Sequence, residues 1–172
     1  MTYTSKEHII SALKKGTRLD GRKPLEFRTV TIESNCVATA EGSARVRCGD
    51  TEILAGVKMA VGKPYPDTPD SGVLMVGVEL LAISNPLFEQ GPPSTESIEL
   101  ARVIDRGIRE SKTIDDKALC IAPGELVWMV NVDLCPLNTD GNLIDVGAMA
   151  AIAALKTTRL PARNGQSVDY HT

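Results

Sequence analysis

The chain holds 172 residues, with 19 basic and 22 acidic side chains and a formal net charge of −3. A composition 42% hydrophobic and 24% charged is that of a globular domain and excludes a wholly disordered chain. The acidic balance excludes a strongly basic nucleic-acid binder, and the longest apolar runs, near Val73–Ile83 and Val146–Leu155, fall short of the ~20 residues of a membrane span.

Residues 5–15 predict a short helix, with Ile9, Ile10 and Leu13 on one stripe and Gly16 as its stop. Residues 16–27, GTRLDGRKPLEF, read as a charged loop. Strands are predicted over Arg28–Glu33, a short Cys36–Ala40, Ser43–Cys48 and Glu52–Val61, the last two divided by the hairpin signal Gly49-Asp50. Three prolines exclude regular structure from 62–71. The apolar run Val73–Ile83 predicts a long, buried central strand. After Pro92-Pro93 a helix starts at Ser94 or Thr95 and runs to about Lys112, burying Ile98, Ala101, Ile104 and Ile108. Leu126–Leu134 is a strand and Thr139–Asn142 a turn; 144–157 is a helix apolar nearly all round, and so buried. Three strands, a helix, a strand and a helix give an α+β fold of two layers, a sheet and its helices.

Standard catalytic patterns are missing. There is no P-loop, G-x-G-x-x-G, H-E-x-x-H or G-x-S-x-G. The two histidines, His8 and His171, lie at the chain ends, so no nucleophile has a nearby base. Cys36, Cys48, Cys120 and Cys135 lack zinc spacing, and Cys36, Cys48 and Cys135 sit in apolar or alternating runs that predict buried thiols. With no apolar signal core at the N-terminus, an intracellular protein is expected.

Three carboxylates, Asp133, Asp140 and Asp145, fall near one strand-to-helix junction, where oxygen ligands suit Mg²⁺. The plainer reading, which we favour, is a turn Asp at 140 and a favourable N-terminal helix charge at 145. Arg102, Arg106 and Arg109 share one helix face, and their planar forks suit phosphate oxygens. The same spacing also allows salt bridges Glu99 with Arg102, Asp105 with Arg109, and Arg106 with Glu110. Spacing alone does not choose between the two. Arg18, Arg22, Lys23 and Arg28 form a second basic group, read as a solvated loop rather than an electropositive rim.

Arg18-Leu19-Asp20-Gly21-Arg22 resembles the R-x-D-G-R loop that opens RNase PH-type domains. Gly42-Ser43-Ala44, then Gly49-Asp50-Thr51 and Leu54, is similar to that family's first hairpin. Ile98-Glu99-Leu100-Ala101-Arg102 resembles its central helix, and Thr139-Asp140-Gly141-Asn142 its strand-to-helix turn. The four motifs occur in family order, and the likeness is nearest to the non-catalytic ring subunits of the archaeal exosome. The resemblance implies a fold like domain 2 of ribosomal protein S5, with a β3-α-β-α core. Active members are phosphorolytic 3′-to-5′ exoribonucleases that assemble as hexameric rings.

Active members carry D-G-G-T-R-T at the turn, where the arginine grips the attacking phosphate. Here Ile144 stands at that arginine's place and Asp145 follows it. The resemblance therefore implies an inactive member without catalytic residues, metal or cofactor. Its partners are a catalytic RNase PH-like subunit, S1-domain cap subunits and single-stranded RNA, in the cytoplasm. Arg102 and Arg106 match the arginines with which this subunit type holds RNA phosphates; Arg109 has no such match. Two alternatives are an active exoribonuclease and a ring module without RNA contact. The expected division is an N-terminal helix and basic loop over 1–27 and the first half of an RNase PH-like domain over 28–172. The family's second half is then missing after Thr172.

Overall fold

The computed structural model describes residues 3–164 and 167–169. Helix α1 (Tyr3–Lys14) and a loop lead into strand β1 (Val30–Ser34), β2 (Gly42–Cys48), β3 (Thr51–Gly62) and β4 (Val73–Val78). Helix α2 (Thr95–Glu110), β5 (Cys120–Ala122), β6 (Leu126–Asn138) and helix α3 (Leu143–Thr157) follow, then a small hairpin of β7 (Ala162–Asn164) and β8 (Ser167–Asp169). The main sheet runs β1-β2-β3-β6-β4, with β5 on β6. Every pairing is antiparallel except β4 with β6. Within this α+β fold, β2, β3, β4, α2, β6 and α3 supply the three-strand, helix, strand, helix core.

The two layers follow from residue period. On β3, Ile53, Ala55, Val57 and Met59 are buried, while their neighbours point to the open face. The buried face meets Leu100, Ile104 and Ile108 of α2 and Val146, Ala150, Ala151 and Ala154 of α3. Small residues let α3 sit close. A Cβ on Gly147 would lie 2.8 Å from Ile104 Cδ1, so the two helices meet there with no room for a side chain.

Several expectations need correction. Residues 36–40 form a turn, not a strand. Asn35 takes a left-handed φ of 57°, and the Ser43 hydroxyl accepts from the Val37 amide at 2.9 Å. That local bond replaces a strand partner. The strand β4 ends at Val78 and lies at the edge of this sheet rather than its centre. Its apolar run instead reflects a parallel strand covered by α2, after which the chain turns and leaves Ile83 74% exposed. The buried stripe of α2 is Ser97, Leu100, Ile104 and Ile108, so Ile98 is exposed. Ser97 goes inside because its hydroxyl donates to the Val78 carbonyl. Helix α3 buries one side only. Met149, Ile152 and their neighbours line an open apolar groove of about 480 Å³ beside Ile32.

All four cysteines are free, and Cys36 is exposed rather than buried, since it lies in the 36–40 turn. Burial, and then the nearby Glu79 carboxylate, push the Cys135 thiol above its ordinary value. A maleimide at mildly alkaline pH should therefore label Cys36 first, Cys135 more slowly and buried Cys48 last. A mass-spectrometric time course reads that order directly, and early labelling of Cys48 would contradict the packing of β2.

Candidate nucleic-acid interface

The helix α2 is built to expose one face. The Ser94 hydroxyl accepts from the Ser97 amide at 3.2 Å and caps its start, while Glu96 in the first turn and Arg109 in the last complement its dipole. Opposite the buried stripe stand Arg102 and Arg106, four residues apart and both exposed. Arg106 Nε lies 3.8 Å from Glu110 Oε1, with the two side chains 80% and 71% exposed. So solvated a pair is worth only about 0.3–0.5 kcal/mol, and a phosphate can displace it. Among the described residues Arg102 has no hydrogen-bond or ion-pair partner, so Glu99 does not hold it.

Arg109 is held differently. Its Nη2 donates to Asp105 Oδ1 at 2.8 Å and to the Leu74 carbonyl at 3.1 Å, tying α2 to β4. Its hydrogen bond to Asp105 keeps the guanidinium above its ordinary pKa, against the opposing effect of burial. Arg109 is thus structural, while Arg102 and Arg106 remain available.

The turn before α3 is a second assembly, and sequence reasoning missed its two organisers. Thr51, fully buried, donates from Oγ1 to the Gly141 carbonyl at 2.7 Å and accepts from the Asp140 amide at 3.0 Å. Arg28 donates to the Asp140 carbonyl at 2.7 Å and to Thr51 Oγ1 at 3.3 Å, and lies 3.5 Å from the Asp140 carboxylate. Grouping Arg28 with the loop cations hid this role; its signal was the Gly49-Asp50-Thr51 turn. Gly49 has a φ of +59°, and an added Cβ would sit 2.7 Å from Arg28 Cδ. Replacing Thr51 by Val should strand the Asp140 amide and leave the Gly141 carbonyl only the longer 3.3 Å bond from Arg28, costing about 2 kcal/mol in urea unfolding. An unchanged midpoint would show that the hydroxyl clamps nothing.

On the helix side of this turn, Ile144 is 46% exposed and Asp145 is exposed. The αL residue Asn142 caps α3 without a side-chain bond. Asp133 projects from the open face of β6, away from Asp140 and Asp145. No cluster of three or more His, Cys, Asp or Glu among the described residues is placed to hold a metal. His171 lies outside the described residues. No described helix is long and apolar enough to cross a membrane.

Residues 26–161 match the family described as 3′ exoribonuclease family, domain 1. The chain is 54% identical over 157 residues to the exosome complex component Rrp42 of Archaeoglobus fulgidus, covering 91% of this chain and 61% of that protein. The protein of the same name from Methanocella arvoryzae is 51% identical over 156 residues, covering 91% and 60%. Among solved structures, an Archaeoglobus fulgidus exosome with RNA bound to the active site superposes with a TM-score of 0.86 and 53% identity, covering 90% of this chain and 61% of that one. An archaeal exosome core gives 0.79 and 50%, covering 90% and 58%. The chain spans about 60% of the length of the curated relatives it matches. Fold, motif order and a match over most of the chain agree: the chain belongs to the 3′ exoribonuclease (RNase PH) family and carries its domain 1.

Proposed function

We propose that the chain is a non-catalytic ring subunit of an archaeal exosome, supporting 3′-to-5′ phosphorolytic RNA degradation by a catalytic relative. The observation that carries this reading is at the turn before α3. Ile144 and Asp145 are exposed where the active pattern places a phosphate-gripping arginine. An aliphatic side chain donates no hydrogen bond to the attacking phosphate, and a carboxylate repels it. Charge stabilisation is usually the largest catalytic term in such transfers. Relatives named exosome complex component Rrp42 support the reading.

In this reading the chain scaffolds a hetero-oligomeric hexameric ring with a catalytic RNase PH-like subunit, beneath S1-domain caps in the cytoplasm. Single-stranded RNA is the substrate of the ring, and Arg102 and Arg106 grip its phosphates. Residues 1–27 are assigned as an N-terminal helix and basic loop, and 28–172 as the first half of the RNase PH-like domain. The test is RNA trimming by the ring reconstituted with the catalytic relative and inorganic phosphate. The chain alone should not shorten RNA, and the ring carrying Arg102→Ala and Arg106→Ala should assemble but trim slowly. Phosphate-dependent shortening by the chain alone would overturn the non-catalytic assignment. Unchanged RNA binding in the double variant would select a ring module without RNA contact.

A further inference from the structure

Tyr65 stands in the loop 63–72, between β3 and β4, with Pro64 before it and Pro66 after it. Each proline fixes its own φ, and Pro66 also confines Tyr65 to extended backbone. The chain beyond is pinned. The Thr68 amide donates to the Tyr65 carbonyl at 3.1 Å, the Gly124 amide to the Pro69 carbonyl at 2.8 Å, and the Gly72 amide to the Asp116 carbonyl at 2.8 Å. Lys117 Nζ lies 3.5 Å from the Asp70 carboxylate. A loop without regular structure is thereby stiffened, and its one aromatic ring is carried on a fixed backbone.

The ring itself adds nothing to the core, and among the described residues its hydroxyl has no hydrogen-bond partner. Its charged neighbour is on α2. The Tyr65 phenol lies within electrostatic reach of the Arg109 guanidinium, which Asp105 and the Leu74 carbonyl hold in place. Arg109 shares its helix face with Arg106 and Arg102, which lie about 4.5 and 10.5 Å back along the axis. Tyr65 therefore stands at the C-terminal end of the arginine row. A single RNA strand needs this pairing: guanidinium forks for its phosphates and an aromatic face for a base. A protein partner is less well served. Apart from its prolines and Gly72, every other residue of the loop is polar, so it offers no apolar interface core. Asp67, just past Tyr65, repels phosphate and leaves the RNA backbone to the α2 side.

We infer that Tyr65 is an RNA-binding residue: one base of the single strand stacks on its ring, while the neighbouring phosphates sit on Arg106 and Arg102. The inference rests on the reading of those two arginines as RNA contacts, and it adds a base contact to their phosphate contacts. Its backbone is ordered before RNA arrives, so little conformational entropy is lost on binding. Every base has a π face, so the contact is indifferent to sequence. The phenol hydroxyl is not required for it.

The experiment is RNA binding by the ring reconstituted with the catalytic relative, without inorganic phosphate so that nothing is trimmed. Fluorescence anisotropy follows a labelled oligoadenylate and its abasic analogue of the same length. Tyr65→Ala should weaken binding of the oligoadenylate by about five- to a hundredfold. Tyr65→Phe keeps the ring and should bind as wild type does. Neither variant should change the slope of log K against log salt, which the arginines set. The abasic strand should bind wild type and Tyr65→Ala equally. Equal loss in the Ala and Phe variants, or equal sensitivity of the abasic strand, overturns the stacking. So does a Tyr65→Ala chain that no longer enters the ring, which would make the tyrosine a subunit contact. Weaker binding on removal of Arg102 and Arg106, with none on removal of Tyr65, overturns this inference alone. No loss in either case overturns the arginine reading with it.

Discussion

Replacing Gly42 by alanine should destabilise the domain by about 3 kcal/mol, lowering its melting temperature by roughly 6–12 °C. The new Cβ would lie 2.2 Å from Thr158 Oγ1, 2.5 Å from the Ala154 carbonyl oxygen and 2.8 Å from Thr158 Cα. Two of these atoms are backbone at the end of α3, so no side chain can rotate away. The helix must move instead, and with it a seam of hydrogen bonds. The Ser43 amide donates to Thr157 Oγ1 at 3.3 Å, and the Arg159 amide to the Glu41 carbonyl at 3.0 Å. Against a typical domain stability of about 5–15 kcal/mol, that loss is a large share. Gly77→Ala is the control. Its Cβ meets only the Asp133 carboxylate, which can swing into solvent, so the change should be small. Thermal unfolding of both variants checks the prediction, and equal melting temperatures would refute it.

Removing Arg102 and Arg106 together should weaken RNA binding by the assembled ring by roughly ten- to a hundredfold, with the fold of this chain intact. Each arginine is exposed and makes no tertiary contact that supports the core. Stability should therefore change by less than about 0.5 kcal/mol. A charge-assisted bond to phosphate is worth about 1.5–3 kcal/mol, and desolvation on binding takes back part of it. The more telling readout is salt. Loss of two phosphate contacts to a single strand should flatten the slope of log K against log salt by about 1.4. Arg109→Ala should do the opposite: little change in the slope, but a measurable loss of stability, because it releases Asp105 and the Leu74 carbonyl. An unchanged slope in the double variant would remove both arginines from the interface.

Strong local signals carried most of the fold. Gly49-Asp50 marked the β2–β3 hairpin, and Ser94 after two prolines marked the start of α2. Alternation found β3 and β6. What failed depended on partners distant in the chain. Ser97 looks polar until the Val78 carbonyl receives its hydroxyl, and this one bond shifted the buried stripe of α2. The run Val73–Ile83 looks like a sheet centre, but apolar composition does not say on which side of β6 it will pair. Strands β5, β7 and β8 are too short for periodicity to speak. At the candidate interface, helical spacing put Arg102, Arg106 and Arg109 on one face. It did not show that Asp105 takes Arg109 while Arg102 stays unpaired, because that turns on a carbonyl from β4. Arg28 was hard to read for the same reason: beyond Thr51, the carbonyls it serves lie more than a hundred residues away.

The position of β6 has a consequence for synthesis. Among the described residues it is the only strand that joins β3 to β4, and it also holds β5. A nascent chain that has passed β4 and α2 has its hairpin of β2 and β3 but nowhere to place β4. At ~5–20 residues per second, the ribosome needs several seconds more to deliver residues through Asn138. Throughout that interval Val73–Val78 presents bare backbone and apolar side chains, the kind of segment that chaperones bind. A premature stop upstream of β6 therefore leaves β4 without its partner strand, whereas one placed after α3 leaves the main sheet complete.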